Sequence, residues 1–299
     1  MRIAIAGGTG FVGKALVREL VQQEHEVIVL TRKPASGTGK FRYVQWLTEQ
    51  STPAAELEGT DIIINLAGES INSGRWTEQR KKRILDSRIA AVRELLTIMD
   101  KMNQKPRAFI NASAIGYFGT SLDQTFTEAD EGCGEDFLSK TVIRWEQEAS
   151  KAEKFGVRTV LCRFGIILDK HEGALSKMTF PFKAFIGGPM GSGKQWMSWI
   201  HIDDVVKGIE FVIQKENLHG PVNFTAPTPV TMNEFGKSLA DILRRPHWLP
   251  VPGIALKILL GEMSTLVLDG QKVLPSKLVK NGYEFIHPDL KHALKNIFS

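Results

Sequence analysis

Residues 2–20 read RIAIAGGTGFVGKALVREL, and the fold turns on how this stretch is divided. The first five residues, Arg2 to Ala6, are almost continuously apolar, as expected of a strand buried on both faces of a parallel sheet. From Val12 onward the apolar residues Val12, Ala15, Leu16 and Leu20 fall on one face of a helix. Between them lies Gly7-x-x-Gly10-x-x-Gly13. Gly7 permits a tight turn, Gly10 lets a diphosphate approach the backbone, and Gly13 allows helix and strand to pack closely. The free N–H groups and positive dipole end of the helix then face an anion. A glycine pattern alone is weak evidence, but strand before and helix after give it the context of a dinucleotide-binding turn.

The rhythm continues downstream. HEVIVLT (25–31), RYVQW (42–46), DIIINLAG (61–68), RAFINASA (107–114), VRTVLCRFGIIL (157–168) and PVNFTA (221–226) read as strands. Helix-like stretches at 76–102 and 137–156 lie between them. Alternating strand and helix predicts an α/β fold, a Rossmann-type doubly wound parallel sheet. Within the last third, seven prolines fall between Pro221 and Pro275 inclusive, among short helical runs. It reads as a smaller substrate-covering region at the carboxyl edge of the sheet. The expected division is a nucleotide-binding body over 1–180, with sheet contributions from about 198–226, and a substrate-side region over 181–299.

The second strand ends in LTRKP, and no Asp or Glu occurs between Glu26 and Glu49. The acidic partner of an NAD ribose is therefore missing. Thr31, Arg32 and Lys33 stand instead where a 2′-phosphate would be received, so NADP(H) is the expected cofactor, the alternative being that Arg32 and Lys33 are simply solvated.

Bulk properties narrow the remaining classes. The 299 residues are 42% hydrophobic and 24% charged, an ordinary globular balance, with a net charge of +5. The densest basic cluster, Arg80 to Arg83, lies on a helix face, so nucleic acid is not an expected partner. Two cysteines, Cys133 and Cys162, make no disulfide framework. With neither a secretory signal pattern nor a membrane-length apolar run, the expectation is a cytoplasmic protein with no membrane partner. The seven histidines show no paired metal spacing, so no metal site is expected. The segment GGPMGSGKQW (187–196) mimics a P-loop, but Gln195 stands where Ser or Thr should hold magnesium, and no helix pattern follows. Lys194 and Gln195 keep a second reading as contacts to an anionic substrate.

GGTGFVG, NLAG (65–68), NASAIGYFG (111–119) and WIHIDD (199–204) resemble the extended short-chain dehydrogenase/reductases. More narrowly, NLAGESI, SAIGYFG, GGPMGSGKQWMSWIHIDDVV, NFTAPTPVTMNEFGKSLADILRRP and GQKVLPSKLVKNGYEF are similar to the atypical nucleoside-diphosphate-sugar epimerase family, which ends in a small C-terminal domain. The resemblance spans nearly the whole chain. It implies oxidoreductase or epimerase chemistry on a small or sugar-nucleotide-like molecule, and it allows a homodimer. The cofactor set it implies is Gly7, Thr9, Gly10, Phe11, Val12, Gly13, Thr31 and Arg32, with Leu66, Ala67, Gly68, Glu69 and Arg88 beside them. Asp203 or Asp204 reads as a helix cap.

That family works with a serine and a Tyr-x-x-x-Lys: the phenol moves a proton, the lysine lowers its pKa and binds ribose, and the serine polarises the carbonyl. Ser113 matches the serine. The three tyrosines, Tyr43, Tyr117 and Tyr283, are followed four residues on by Leu47, Ser121 and His287, so no Tyr-x-x-x-Lys exists. In DFLSKTVIRWE (136–146), one register puts Asp136 at the phenol position with Lys140 at the lysine; the next puts Phe137 and Thr141 there. The catalytic candidates are accordingly Ser113, Tyr117 and Lys140. A non-catalytic NADP(H)-binding sensor or interaction protein is the alternative. Phe180, Phe182, Phe185, Trp196 and Trp199 read either as a pocket wall or as core.

Overall fold

The computed structural model describes residues 1–33, 41–49, 51–132 and 134–299. Its strands are β1 (Arg2–Ala6), β2 (Glu26–Thr31), β3 (Phe41–Gln45), β4 (Ile62–Asn65), β5 (Ala108–Ala114), β6 (Thr125–Phe126), β7 (Arg158–Phe164), β8 (Ile166–Leu168), β9 (Trp196–Met197), β10 (Trp199–His201), β11 (Gly220–Phe224), β12 (Val230–Thr231) and β13 (Lys272–Val273). The helices are α1 (Phe11–Gln22), α2 (Pro53–Leu57), α3 (Glu78–Lys101), α4 (Phe137–Ala149), α5 (Gly173–Lys183), α6 (Ile202–Gln214), α7 (Met232–Leu243), α8 (Gly253–Leu260), α9 (Thr265–Leu268), α10 (Ser276–Lys280) and α11 (Leu290–Phe298).

Seven strands form one parallel sheet in the order β11-β7-β5-β4-β1-β2-β3. The architecture is the expected doubly wound α/β fold. Its continuous apolar strands follow from burial on both faces. Ile3 and Ile5 enter one core with α1 and α6, while Ala4 and Ala6 enter the other with α3 and α4. The same alternation sends Val27 and Val29 one way and Ile28 and Leu30 the other. A third core joins α5, α7 and α11 around the fully buried Trp199. The chain reverses direction across the sheet between β1 and β4, which opens the crevice where ligands of such sheets bind.

The last third supplies β11 to the main sheet, then folds as short helices over its carboxyl edge. It is tied back by two small pairings, β6 with β13 and β9 with β12. α6 is capped by neither aspartate proposed for it: the His201 Nδ1 accepts from the Asp203 N–H at 3.1 Å. Asp204 turns inward instead and accepts hydrogen bonds from the Tyr283 hydroxyl and the Ile286 and His287 amides. Cys133 lies outside the described residues; Cys162 is a free thiol inside the sheet, its pKa pushed far up by burial. Among the described residues, no helix is long and apolar enough to cross a membrane.

Candidate nucleotide and substrate site

The turn after β1 is shaped by what its glycines exclude. Gly7 has a φ of +80°, and a Cβ there would sit 2.6 Å from the Leu66 carbonyl carbon. A Cβ on Gly13 would stand 2.2 Å from the Gly7 oxygen, so α1 presses directly on the turn. The Gly10 N–H closes the turn onto Gly7 O at 2.9 Å. Gly10 caps α1 with no side chain, and no acidic residue occupies the first turn. The amides of Phe11, Val12 and Gly13 have no intrahelical acceptor and face outward at the positive dipole end. An anion with several oxygens satisfies them without displacing anything.

The strand β4 continues into the opposite wall. Asn65 is buried, donates to Asn111 Oδ1 at 2.7 Å, and accepts from the Ala67 amide at 3.1 Å. This pair fixes the backbone of Leu66, Ala67 and Gly68 against Gly7. Glu69 turns away to an ion pair with Arg80. Among the described residues Arg88, from α3, meets no carboxylate at bonding distance: its Nη1 donates to the carbonyls of Ile84 and Glu69, and its guanidinium lies 5.1 Å from the Trp145 ring centroid. Burial lowers its pKa to about 10, which leaves it cationic at neutral pH. A buried cation hydrogen-bonded only to carbonyls, with the Glu69 carboxylate acting on it at longer range, keeps charge to offer an anion.

Arg88 opens into a cavity of about 440 Å³. Phe11 and Ala114 line its floor, and Leu138, Thr141, Val142 and Trp145 of α4 line one side. Phe164 to Ile167, Trp196 and Ser198 line another, and Thr265, Leu266, Asp269, Gly270 and Gln271 close the top. Gln271 is held by its Nε2 donating to Ile115 O at 3.0 Å.

The three catalytic candidates are not brought together in this cavity. Ser113 is 3% exposed and its hydroxyl donates to Glu146 Oε1. Arg163 is the register partner of Ser113 across β5 and β7, and it grips the same carboxylate with Nε and Nη2, both at 2.8 Å. Tyr117 lies over that guanidinium, 3.4 Å from its carbon to the ring centroid. Serine and tyrosine thus belong to a buried ion-pair cluster behind the cavity wall. Lys140 sits on the exposed face of α4, away from the stripe that lines the cavity. Helical geometry explains this: Leu138, Thr141, Val142 and Trp145 share a face, and residue 140 falls outside it. Asp136 does reach the cavity, but its Oδ1 caps α4 by accepting from the Leu138 and Ser139 amides. Phe137 packs edge-on against Trp76.

Elsewhere, Thr31 Oγ1 accepts from the Lys33 amide, and the exposed Arg32 has no ion pair among the described residues. Lys194 is exposed, whereas Gln195 is buried and donates to Met190 O and Val267 O, a loop-holding role. Of the aromatics, Trp196 lines the cavity, Phe182 and Trp199 are core, and Phe180 and Phe185 point to solvent. The sequence reading missed the α4 stripe, the Glu146–Arg163 pair and Gln271. The stripe had a signal, i, i+3, i+4, i+7 spacing; the others are joined only by the fold.

Residues 3–224 match the NAD dependent epimerase/dehydratase family, and residues 251–297 match a domain of unknown function, DUF1731. The chain is 46% identical over 300 residues to the epimerase family protein YfhF of Bacillus subtilis, covering 100% of this chain and 98% of that one. Among solved structures it is similar to the human epimerase family protein SDR39U1 (isoform 2) with NADPH, at 33% identity and a TM-score of 0.88, with 99% of each chain covered. It is also similar to a nucleoside-diphosphate sugar epimerase from Corynebacterium glutamicum, at 29% identity and a TM-score of 0.80, covering 100% of this chain and 58% of that one.

Proposed function

Because the chain belongs to the NAD dependent epimerase/dehydratase family, we propose that it binds NADP(H) and is an oxidoreductase or epimerase for a small, largely apolar substrate. The observation that carries this reading is the uncapped start of α1, stripped of side chains at Gly7, Gly10 and Gly13, leading into a cavity that holds the desolvated Arg88. Residues 1–180, with strand β11, form the nucleotide-binding body in this reading, and 181–299 cover the substrate.

The amides of Phe11 to Gly13 hold the diphosphate, and Leu66 to Gly68 wall the nucleoside. Thr31 and Arg32 select the 2′-phosphate, supported by the NADPH in the human relative's structure. When bound, the nicotinamide supplies or takes a hydride at one carbon of the substrate. The residues of the chain orient that carbon and exclude water, with Trp145, Ile166 and Leu138 as apolar walls. A sugar nucleotide brings a second diphosphate, and Arg88 is the only Lys or Arg among the described lining residues. That charge balance favours an uncharged carbonyl compound over a sugar nucleotide.

The burial of Ser113 against Glu146, and the placement of Lys140 outside the cavity, favour a second reading, a nucleotide sensor without turnover. Calorimetry with NADPH and NADH, followed by absorbance assays against apolar aldehydes, ketones and sugar nucleotides, separates the two. Tighter NADPH binding with turnover of a carbonyl compound is expected; tight binding without turnover leaves the sensor. Preference for NADH removes the cofactor assignment.

A further inference from the structure

At the start of α6, outside the residues that line the cavity, His201 and Asp203 meet a histidine that the sequence holds far away, His287. His201 ends β10, Asp203 lies in the first turn of α6, and His287 comes from the segment between α10 and α11. Asp203 Oδ2 lies 3.4 Å from His201 Nδ1 and 3.1 Å from His287 Nε2. One ligand atom from each residue falls within 4.8 Å of the others. Two metal–ligand bonds of about 2.0–2.2 Å in a tetrahedral site place their donor atoms roughly 3.3 Å apart, so a ligand set forms once the two rings, whose centroids lie 3.8 Å apart, turn toward a common point.

Because His201 Nδ1 accepts the Asp203 amide, its lone pair is on Nδ1 and its proton on Nε2. That Nε2 is buried and has no hydrogen-bond partner, on a ring only 3% exposed. His287 Nε2 lies 3.1 Å from Asp203 Oδ2, which only accepts, so this nitrogen carries the proton and His287 Nδ1 accepts from His292 Nδ1 at 3.3 Å. With a metal at Nε2 the ring proton moves to Nδ1, and His292 becomes the outer acceptor that orients the imidazole. His287 is further fixed by its own amide, which donates to Asp204 Oδ2 at 2.9 Å. The Asp203 carboxylate is 52% exposed, which leaves a solvent side for a water ligand.

We propose that His201, Asp203 and His287 bind one zinc ion, with His292 as the outer partner of His287, and that the ion clamps the C-terminal segment onto α6. Two imidazoles and a carboxylate without thiolate suit zinc or its borderline neighbours cobalt and nickel. Binding exchanges the Asp203 N–H bond at His201 Nδ1 for a metal bond at the same nitrogen, and replaces the His287 Nε2 proton, which passes to Nδ1 as the proton shared with His292 is released to solvent. The site is separate from the nucleotide cleft, so its success or failure is independent of the cofactor reading.

The test titrates Zn²⁺ into chelator-stripped, tag-free full-length protein by calorimetry, and Co²⁺ by visible spectroscopy. One equivalent of Zn²⁺ is expected to bind and raise the melting temperature, and Co²⁺ is expected to give the intense bands of a four-coordinate site. His287→Gln and Asp203→Asn should each abolish saturable binding while melting as the wild type does in chelator. His292→Ala should weaken it about 10- to 100-fold. NADPH affinity is expected to be unchanged in His287→Gln. Absence of saturable Zn²⁺ binding, or binding of equal strength in both His287→Gln and Asp203→Asn, overturns the proposal.

Discussion

The turn between β1 and α1 and the junction of β5 with α4 lie at the same edge of one sheet, yet they are built on opposite principles. The first is defined by missing side chains: Gly7 and Gly13 touch neighbouring backbone so closely that no Cβ fits, and bare amides are left facing outward. The second is packed with side chains that bond one another: Ser113, Glu146, Arg163 and Tyr117 form a cluster with both charged groups buried, in which Arg163 Nη1 alone of the guanidinium nitrogens has no hydrogen-bond partner among the described residues. An edge made of free donors is ready for a ligand, whereas one whose donors are mostly spent internally stabilises the fold. The open amides of the first turn and the motif serine are therefore placed apart in this architecture.

The largest effect is expected where the buried cluster is broken. Glu146→Leu strands the Arg163 charge in the interior and should cost about 3–5 kcal/mol in denaturant unfolding, whereas adding Arg163→Met should recover much of it. A double variant as unstable as the single one would show that packing, not charge, holds the junction. At the open edge, Gly13→Val should weaken NADPH binding roughly 100-fold by calorimetry, the equivalent of losing one or two charged hydrogen bonds. Arg32→Ala should act more narrowly, lowering NADPH affinity about tenfold while leaving NADH alone. Ser113→Ala should lower stability by about 1–2 kcal/mol through its lost bond to Glu146, with NADPH affinity unchanged. A drop in turnover without loss of stability would return the serine to the reaction. The smallest effect belongs to Lys140→Ala, expected within about 0.5 kcal/mol of wild type in stability and unaltered in NADPH binding.

Much of the fold was readable because its signals are local. The apolar alternation of β1, β2 and β4 needs only neighbours in sequence, and so does the glycine spacing of the first turn. The helix cap of α6 was misread because aspartates are the commoner caps, while a histidine nitrogen at the end of β10 reached the amide first. The catalytic candidates were placed by motif, and a motif says nothing about which face of α4 meets the cavity. One helical step decides that Thr141 lines it and Lys140 does not.

By itself, the sequence determined the parallel α/β sheet, the absence of a Tyr-x-x-x-Lys and the glycine turn, since each depends on residue type at short spacing. Only the tertiary structure decided that Ser113 faces Arg163 and Glu146, that Gln271 closes the cavity, and that His287 meets His201 across 86 positions. Contacts between distant segments depend on how strands register and helices turn, and a side chain's partner is fixed only when the whole sheet has closed around it.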